Sequence, residues 1–250
     1  MIGKKEIQYY VKTDRGLCRD INQDAAAALA REDLGLFVLS DGMGGHSRGE
    51  LASSWIVKGF EAFWENLITA KLPSFRELVE QVQKHFLLLN GQILQRYNQG
   101  QICGATAVVL LISGSCYAVF SVGDSRIYTS VGGKSSLLTV DDVWDTLPST
   151  VSAFTPEQIL LHENHGKLVQ AVGIQPWLNV HISTDRLKRG QVFLLCSDGL
   201  FKCCDEEWIQ KKLRKVRDES SLRRTLEAYF EEVYRQGAGD NVTAILAKVR

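Results

Sequence analysis

Five aspartates stand at the edges of apolar runs. Asp41 ends Phe37-Val38-Leu39-Ser40, and Asp198 ends Phe193-Leu194-Leu195-Cys196-Ser197. Asp124 follows Val119-Phe120-Ser121-Val122-Gly123, Asp240-Asn241 precedes Val242-Thr243-Ala244-Ile245-Leu246, and Asp24 follows Asn22-Gln23. Taken singly, an Asp-Gly after a strand is an ordinary turn. As a set they read differently, because carboxylates at the ends of central strands converge, and clustered anions repel and lose solvation unless neutralised. No Lys/Arg cluster adjoins them. A hard divalent cation is then the expected neutraliser, and oxygen-only donors select Mg²⁺ or Mn²⁺ over zinc. Two such ions about 4 Å apart on a shared carboxylate lower the pKa of a bridging water and make it a nucleophile near neutral pH. Arg19, five residues before Asp24, would present a fork of donors to a tetrahedral oxyanion. The glycines of Asp41-Gly42-Met43-Gly44-Gly45 would let backbone carbonyls approach a metal, since no Cβ intervenes.

The elements that must hold these residues follow from apolar spacing. Gly35–Ser40 predicts a strand buried on both faces. Glu50 to about Ala70 and Phe75 to about Asn98 predict helices, with Ala52, Ile56, Phe60 and Phe63 on one stripe and Leu78, Val82, Phe86 and Leu89 on another. Pro73 stops the first, and Ser74 with Glu77 predicts a capping box for the second. Thr106–Ile112, Cys116–Val122 and Arg126–Val131 are spaced as hairpins, with Gly114-Ser115 as a turn. Thr139–Gly173 carries little pattern beyond a helix near Pro156–Glu163. Strands at Leu178–Thr184 and Val192–Cys196, helices at Glu206–Val216 and Ser220–Gln236, and a last strand Val242–Val249 complete the chain. Strands in runs and helices in pairs predict an α+β layered fold with antiparallel sheets.

Composition narrows the function classes. With 29 basic and 29 acidic residues among 250, the chain lacks the basic footprint of a nucleic-acid binder or a polybasic membrane anchor. Its apolar runs fall far short of the ~20 residues of a membrane span, and Met1-Ile2-Gly3-Lys4-Lys5-Glu6 leads into no apolar stretch, so neither membrane nor signal peptide is expected. Six cysteines with no C-x-x-C spacing, and none followed six positions later by Arg, argue against a zinc ribbon and a thiolate phosphatase loop. Reduced thiols, a cytoplasmic location, one domain over residues 1–250 and a monomer are the expectations.

Several of these residues fall in motifs that appear in order: Arg19-x-x-Asn22-Gln23-Asp24, Asp41-Gly42-Met43-Gly44-Gly45-His46 with Gly49-Glu50 and Ala52-Ser53, Gly104-Ala105-Thr106, Gly123-Asp124-Ser125-Arg126, Ser197-Asp198-Gly199-Leu200 and Asp240-Asn241-Val242-Thr243. In this the chain resembles the metal-dependent Ser/Thr protein phosphatases of the PPM (type-2C) family in their short bacterial form, from about Tyr9 to Val249. The resemblance implies a four-layer αββα sandwich and two Mg²⁺ or Mn²⁺ ions. Asp41 would bridge them, with Gly42 lending its carbonyl, Asp198 and Asp240 would complete the shell of the first ion, and Asp24 would hold coordinated water near the second. Arg19 would bind the substrate phosphate and water would attack phosphorus in line. Phosphorylated proteins, targets of a cognate Ser/Thr kinase, are the partners implied.

The chain also departs from that family. Gln23 stands where many relatives have Glu, which removes a charge near the second ion. A third ion would use Asp124 and Asp198 with an acid four residues later, but that position is Lys202. The flap, about Val140–Gly166, lacks the usual Asp-His-Ser and reads Val140-Asp141-Asp142-Val143. His46 is more readily an ordinary polar contact than an acid. Two other classes compete: a binding or regulatory protein on the same fold with weak or no activity, and a serine hydrolase with Ser47 as nucleophile in Gly45-His46-Ser47-Arg48-Gly49.

Overall fold

The computed structural model of the chain describes residues 6–43, 48–97 and 103–250. The two sheets within it are antiparallel. One orders β1 (Ile7–Asp14), β11 (Val242–Val249), β10 (Val192–Cys196), β7 (Arg126–Val131) and β8 (Lys134–Leu137). The other orders β2 (Asp24–Arg31), β3 (Leu34–Met43), β5 (Ala107–Ser113), β6 (Cys116–Val122) and β9 (His181–Arg186), with the two-residue β4 (Gly104–Ala105) beside the end of β3.

Side-chain alternation then builds four layers. On β5, Val108, Leu110 and Ile112 face the other sheet, meeting Ile127, Phe193, Leu195 and Ile245. Ala107, Val109 and Leu111 face outward onto α1 (Gly49–Thr69) and α2 (Phe75–Tyr97), where Ile56, Phe60, Leu78 and Phe86 close that core. The first sheet is covered in the same way: Leu194, Cys196 and Leu246 pack under Ile209 of α6 (Glu206–Leu213) and Tyr229 and Phe230 of α7 (Glu219–Arg235). Burial on both faces is why the central strands read as unbroken apolar runs. The αββα expectation holds.

Most predicted elements stand within a few residues of their place. Ser74 and Glu77 form the predicted reciprocal cap on α2. One pairing is corrected. β5 and β6 form a hairpin, but β6 and β7 do not: β6 pairs β9, whereas β7 pairs β10 in the other sheet. The chain changes layers at Gly123, whose φ of 93° suits glycine alone. The strand predicted at Leu178–Thr184 begins three residues later, at His181.

The flap leaves from and returns to one point. Val143 bridges Leu168, and the Trp144 amide donates to the Lys167 carbonyl at 2.8 Å. Between them lie α3 (Pro148–Ala153) and α4 (Pro156–Leu161), gathered on Trp144, whose ring stacks on His162 at 4.1 Å and meets Phe154 at 5.5 Å. Arg126 ties the flap's root to β7 through Asp141, at 2.7 Å.

Candidate metal centre

The strand ends meet where the two sheets adjoin. Asp24 opens β2 directly opposite Asp41 on β3. Asp124 sits in the layer change after β6, Asp198 opens the short α5 (Asp198–Phe201) after β10, and Asp240 lies just ahead of β11. A pocket of about 510 Å³ is lined by Arg19, Asp41, Gly42, Asp124, Asp198 and Asp240. Lys202 and the flap residues Gly166, Lys167 and Leu168 complete its wall.

Asp24 does not line this pocket; it lies behind it, 9% exposed. Its Oδ2 accepts from the Ser197 hydroxyl at 2.8 Å, and the same hydroxyl oxygen accepts from the Thr243 amide at 2.9 Å. Its Oδ1 is buried with no hydrogen-bond partner. Burial pushes the Asp24 carboxyl up to about 6, against the pull of Ser197. Asp41 is held well above the usual carboxylate range by burial first, then by the charges of Asp24, Asp198 and Asp124. Burial, with Asp198 next, lifts Asp124 to about 6.

Two cations answer part of this charge. Arg19 Nη2 donates to Asp240 Oδ2 at 2.7 Å, which raises the guanidinium pKa. Lys202 Nζ is paired with Asp198 Oδ2. Burial opposes the Lys202 charge, but Asp198, with Asp124 and Asp41 behind it, outweighs burial and holds the ammonium above its ordinary value.

The donor set fits hard cations. Asp41 is buried among the charges of Asp24, Asp198 and Asp124, which disfavour its ionised form unless a cation neutralises them. The Asp24 Oδ1 is an acceptor still lacking a donor. Among the described residues, however, no three His, Cys, Asp or Glu side chains stand ready to chelate an ion. Asp240 and Asp198 are instead turned to Arg19 and Lys202, so loading an ion would require these pairs to rearrange.

Gly42 has a further reason to be glycine. A Cβ there would stand 2.3 Å from the Gly49 carbonyl, so the end of β3 lies directly on the start of α1. Gln23 is also placed: its side-chain amide donates to Glu50 at 3.3 Å, and its backbone carbonyl accepts from Gly42 N and from the Ser53 hydroxyl. Its amide thus has a partner within the protein.

Spacing gave no role to several supports. Thr106 clamps Asp41, its amide donating to the Asp41 carbonyl at 2.8 Å while its Oγ1 accepts from the Asp41 amide at 3.1 Å. Asn241 accepts from Gln23 N at 2.8 Å and donates to the Arg15 and Ile21 carbonyls, which fixes the loop carrying Arg19. Both fall inside the motifs, Thr106 in Gly104-Ala105-Thr106 and Asn241 in Asp240-Asn241-Val242-Thr243, the one signal that pointed to them. His46, Ser47, Gly44 and Gly45 lie outside the described residues. The sheets are antiparallel, against the mostly parallel α/β sheet on which a Ser47 nucleophile elbow would sit.

With this geometry in place, the sheets and strand-end carboxylates define a phosphatase-type metallohydrolase scaffold. The protein phosphatase 2C family model matches residues 18–249, and the chain belongs to that family. It is 28% identical over 247 residues to the serine/threonine protein phosphatase PstP of Mycobacterium tuberculosis, covering 97% of this chain but 45% of PstP. The serine/threonine phosphatase stp of Listeria monocytogenes is 26% identical, with 95% of this chain and 94% of that protein covered. The chain thus spans about half the length of the PstP proteins and nearly all of stp. Among solved structures, the PstP catalytic domain in complex with two manganese ions superposes with a TM-score of 0.80 at 27% identity, over 98% of this chain and 99% of that one. The Streptococcus agalactiae serine/threonine phosphatase, at 24% identity and a TM-score of 0.86 over 98% and 100% of the chains, shares the fold. Among the described residues no helix is long and apolar enough to cross a membrane.

Proposed function

We propose that this chain is a metal-dependent phosphoprotein phosphatase that hydrolyses phosphoserine and phosphothreonine with two Mg²⁺ or Mn²⁺ ions. The observation that carries the reading is the convergence of Asp41, Asp198 and Asp240, from both sheets, on one pocket with Arg19 at its edge. The two manganese ions of the PstP catalytic domain support the choice of cofactor. Asp41, the Gly42 carbonyl, Asp198 and Asp240 would hold the ions, and Asp24 would act from behind them. Bound there, the ions supply charge neutralisation and a water made reactive near neutral pH.

The chain's own groups do the rest. Arg19, more than half exposed, turns from Asp240 to grip the substrate phosphate with two parallel donors. Ser197 holds Asp24 in place behind the pocket, and Thr106 fixes the Asp41 backbone. Phosphoryl transfer asks mainly for positioning and charge neutralisation, so no side-chain nucleophile and no phosphoenzyme are required. The substrates are phosphoproteins, targets of a cognate Ser/Thr kinase.

The test is phosphate release from a phosphothreonine peptide with and without Mn²⁺. Turnover that chelation abolishes and Mn²⁺ restores is expected. Release no greater than that of an Asp41→Asn/Asp198→Asn control would leave a binding protein on a phosphatase fold.

A further inference from the structure

We infer that Lys202 is the resident cation on the Asp124–Asp198 side of the pocket, so that this side takes no divalent ion and the chain binds two ions rather than three. This rests on the metal-dependent reading above.

The placement is geometric. Lys202 caps α5 four residues after Asp198, its amide donating to the Asp198 carbonyl at 2.9 Å, so one helical turn sets the two side chains on the same face. From there Nζ reaches Asp198 Oδ2 and lines the pocket together with Asp124 and Asp41. Asp124 is 6% exposed and needs a compensating charge; of the other cations lining the pocket, Arg19 is committed to Asp240 and Lys167 is turned to Asn164 on the flap. An ammonium tethered four residues from a carboxylate has a high effective concentration there, and it repels a second cation approaching the same oxygens.

Charge balance points the same way. Five aspartates set against Arg19, Lys202 and two divalent ions leave an excess of one positive charge, enough to draw in a phosphate dianion. A third divalent ion beside Lys202 would raise that excess to three, which desolvated like charges resist.

The experiment counts Mn²⁺ per chain, by native mass spectrometry and by titration calorimetry, on protein stripped of metal with chelator. Wild type and Lys202→Arg are expected to bind two. Lys202→Glu, which supplies an acid where the ammonium stood, is expected to bind three, and Lys202→Glu/Asp124→Asn to return to two. Asp124→Asn alone should leave the count at two. Three ions on wild type, or two on a Lys202→Glu chain whose circular dichroism is native, would overturn the inference. If Lys202→Glu does not fold, Lys202→Met takes its place: a third ion binding more weakly than the first two supports the inference, and a count unchanged up to millimolar Mn²⁺ overturns it. Wild type binding no ion would instead overturn the metal-dependent reading itself.

Discussion

At the floor of the pocket, Asp24, Ser197 and Thr243 are buried and joined by hydrogen bonds of 2.8 and 2.9 Å across the two sheets. At the rim, Arg19 and Lys202 have side chains 53% and 57% exposed, each tied to one carboxylate. The floor is held by paired strand ends, so its carboxyls cannot readily move apart, and burial, with their mutual charge behind it, raises the Asp24 and Asp41 pKa values. The rim is held by a loop and a one-turn helix, so its cations can exchange partners. A floor that fixes charge and a rim that trades it divide the work between holding ions and admitting phosphate.

Four substitutions would break or sharpen this division. Asp41→Asn, at the centre of the floor, should remove nearly all activity, at least about a thousandfold in kcat/KM, because one change weakens both ions. Retention of a tenth of the wild-type rate at saturating Mn²⁺ would end its assignment as the bridging residue. Ser197→Ala should lower activity or metal affinity about 10–100-fold, as loss of an outer partner of a ligating group does. Unchanged Mn²⁺ titrations with unchanged kcat would show that Asp24 needs no such support.

At the rim, Arg19→Ala should raise KM about tenfold or more while Mn²⁺ affinity stays close to wild type. Parallel loss of both would place Arg19 in the floor. The smallest effect is on stability. Asp124 has a folded pKa of about 6 against an ordinary 3.8, so folding favours its protonated form. The stability this gives is full below about pH 4 and is lost as pH rises through 6. In chelator-treated protein, Asp124→Asn should therefore melt a few degrees above wild type at pH 7.5, with the gap closing towards pH 4. A gap independent of pH would refute the cause.

Most of the site was legible in the sequence because a strand buried on both faces reads as an apolar run, and the runs of β3, β6 and β10 lead into Asp41, Asp124 and Asp198 while that of β11 follows Asp240. β1 and β2 were not: β1 buries only Ile7 and Gln8 fully, and β2 has five alanines among its eight residues, a poor strand former held by pairing with β3. The false β6–β7 hairpin came from local spacing, which cannot tell a turn within a sheet from a step between sheets. The flap was read in part: the helix near Pro156–Glu163 stands as α4, but α3 was not seen, because these short helices gather on Trp144 rather than on the main core and leave no long periodicity. Lys202 was visible as an unexpected charge, but only the fold shows that it meets Asp198.

Asp24 and Asp41 stand on one sheet and Asp124 follows its strand β6, while Asp198 follows β10 and Asp240 precedes β11 of the other. The width of the catalytic gap is therefore set by the filling between the layers, where Tyr117 meets Phe193 edge-on at 4.9 Å. Trimming that pair would tune the grip on the ions from well outside the pocket, in the way a shim sets the bite of a vice.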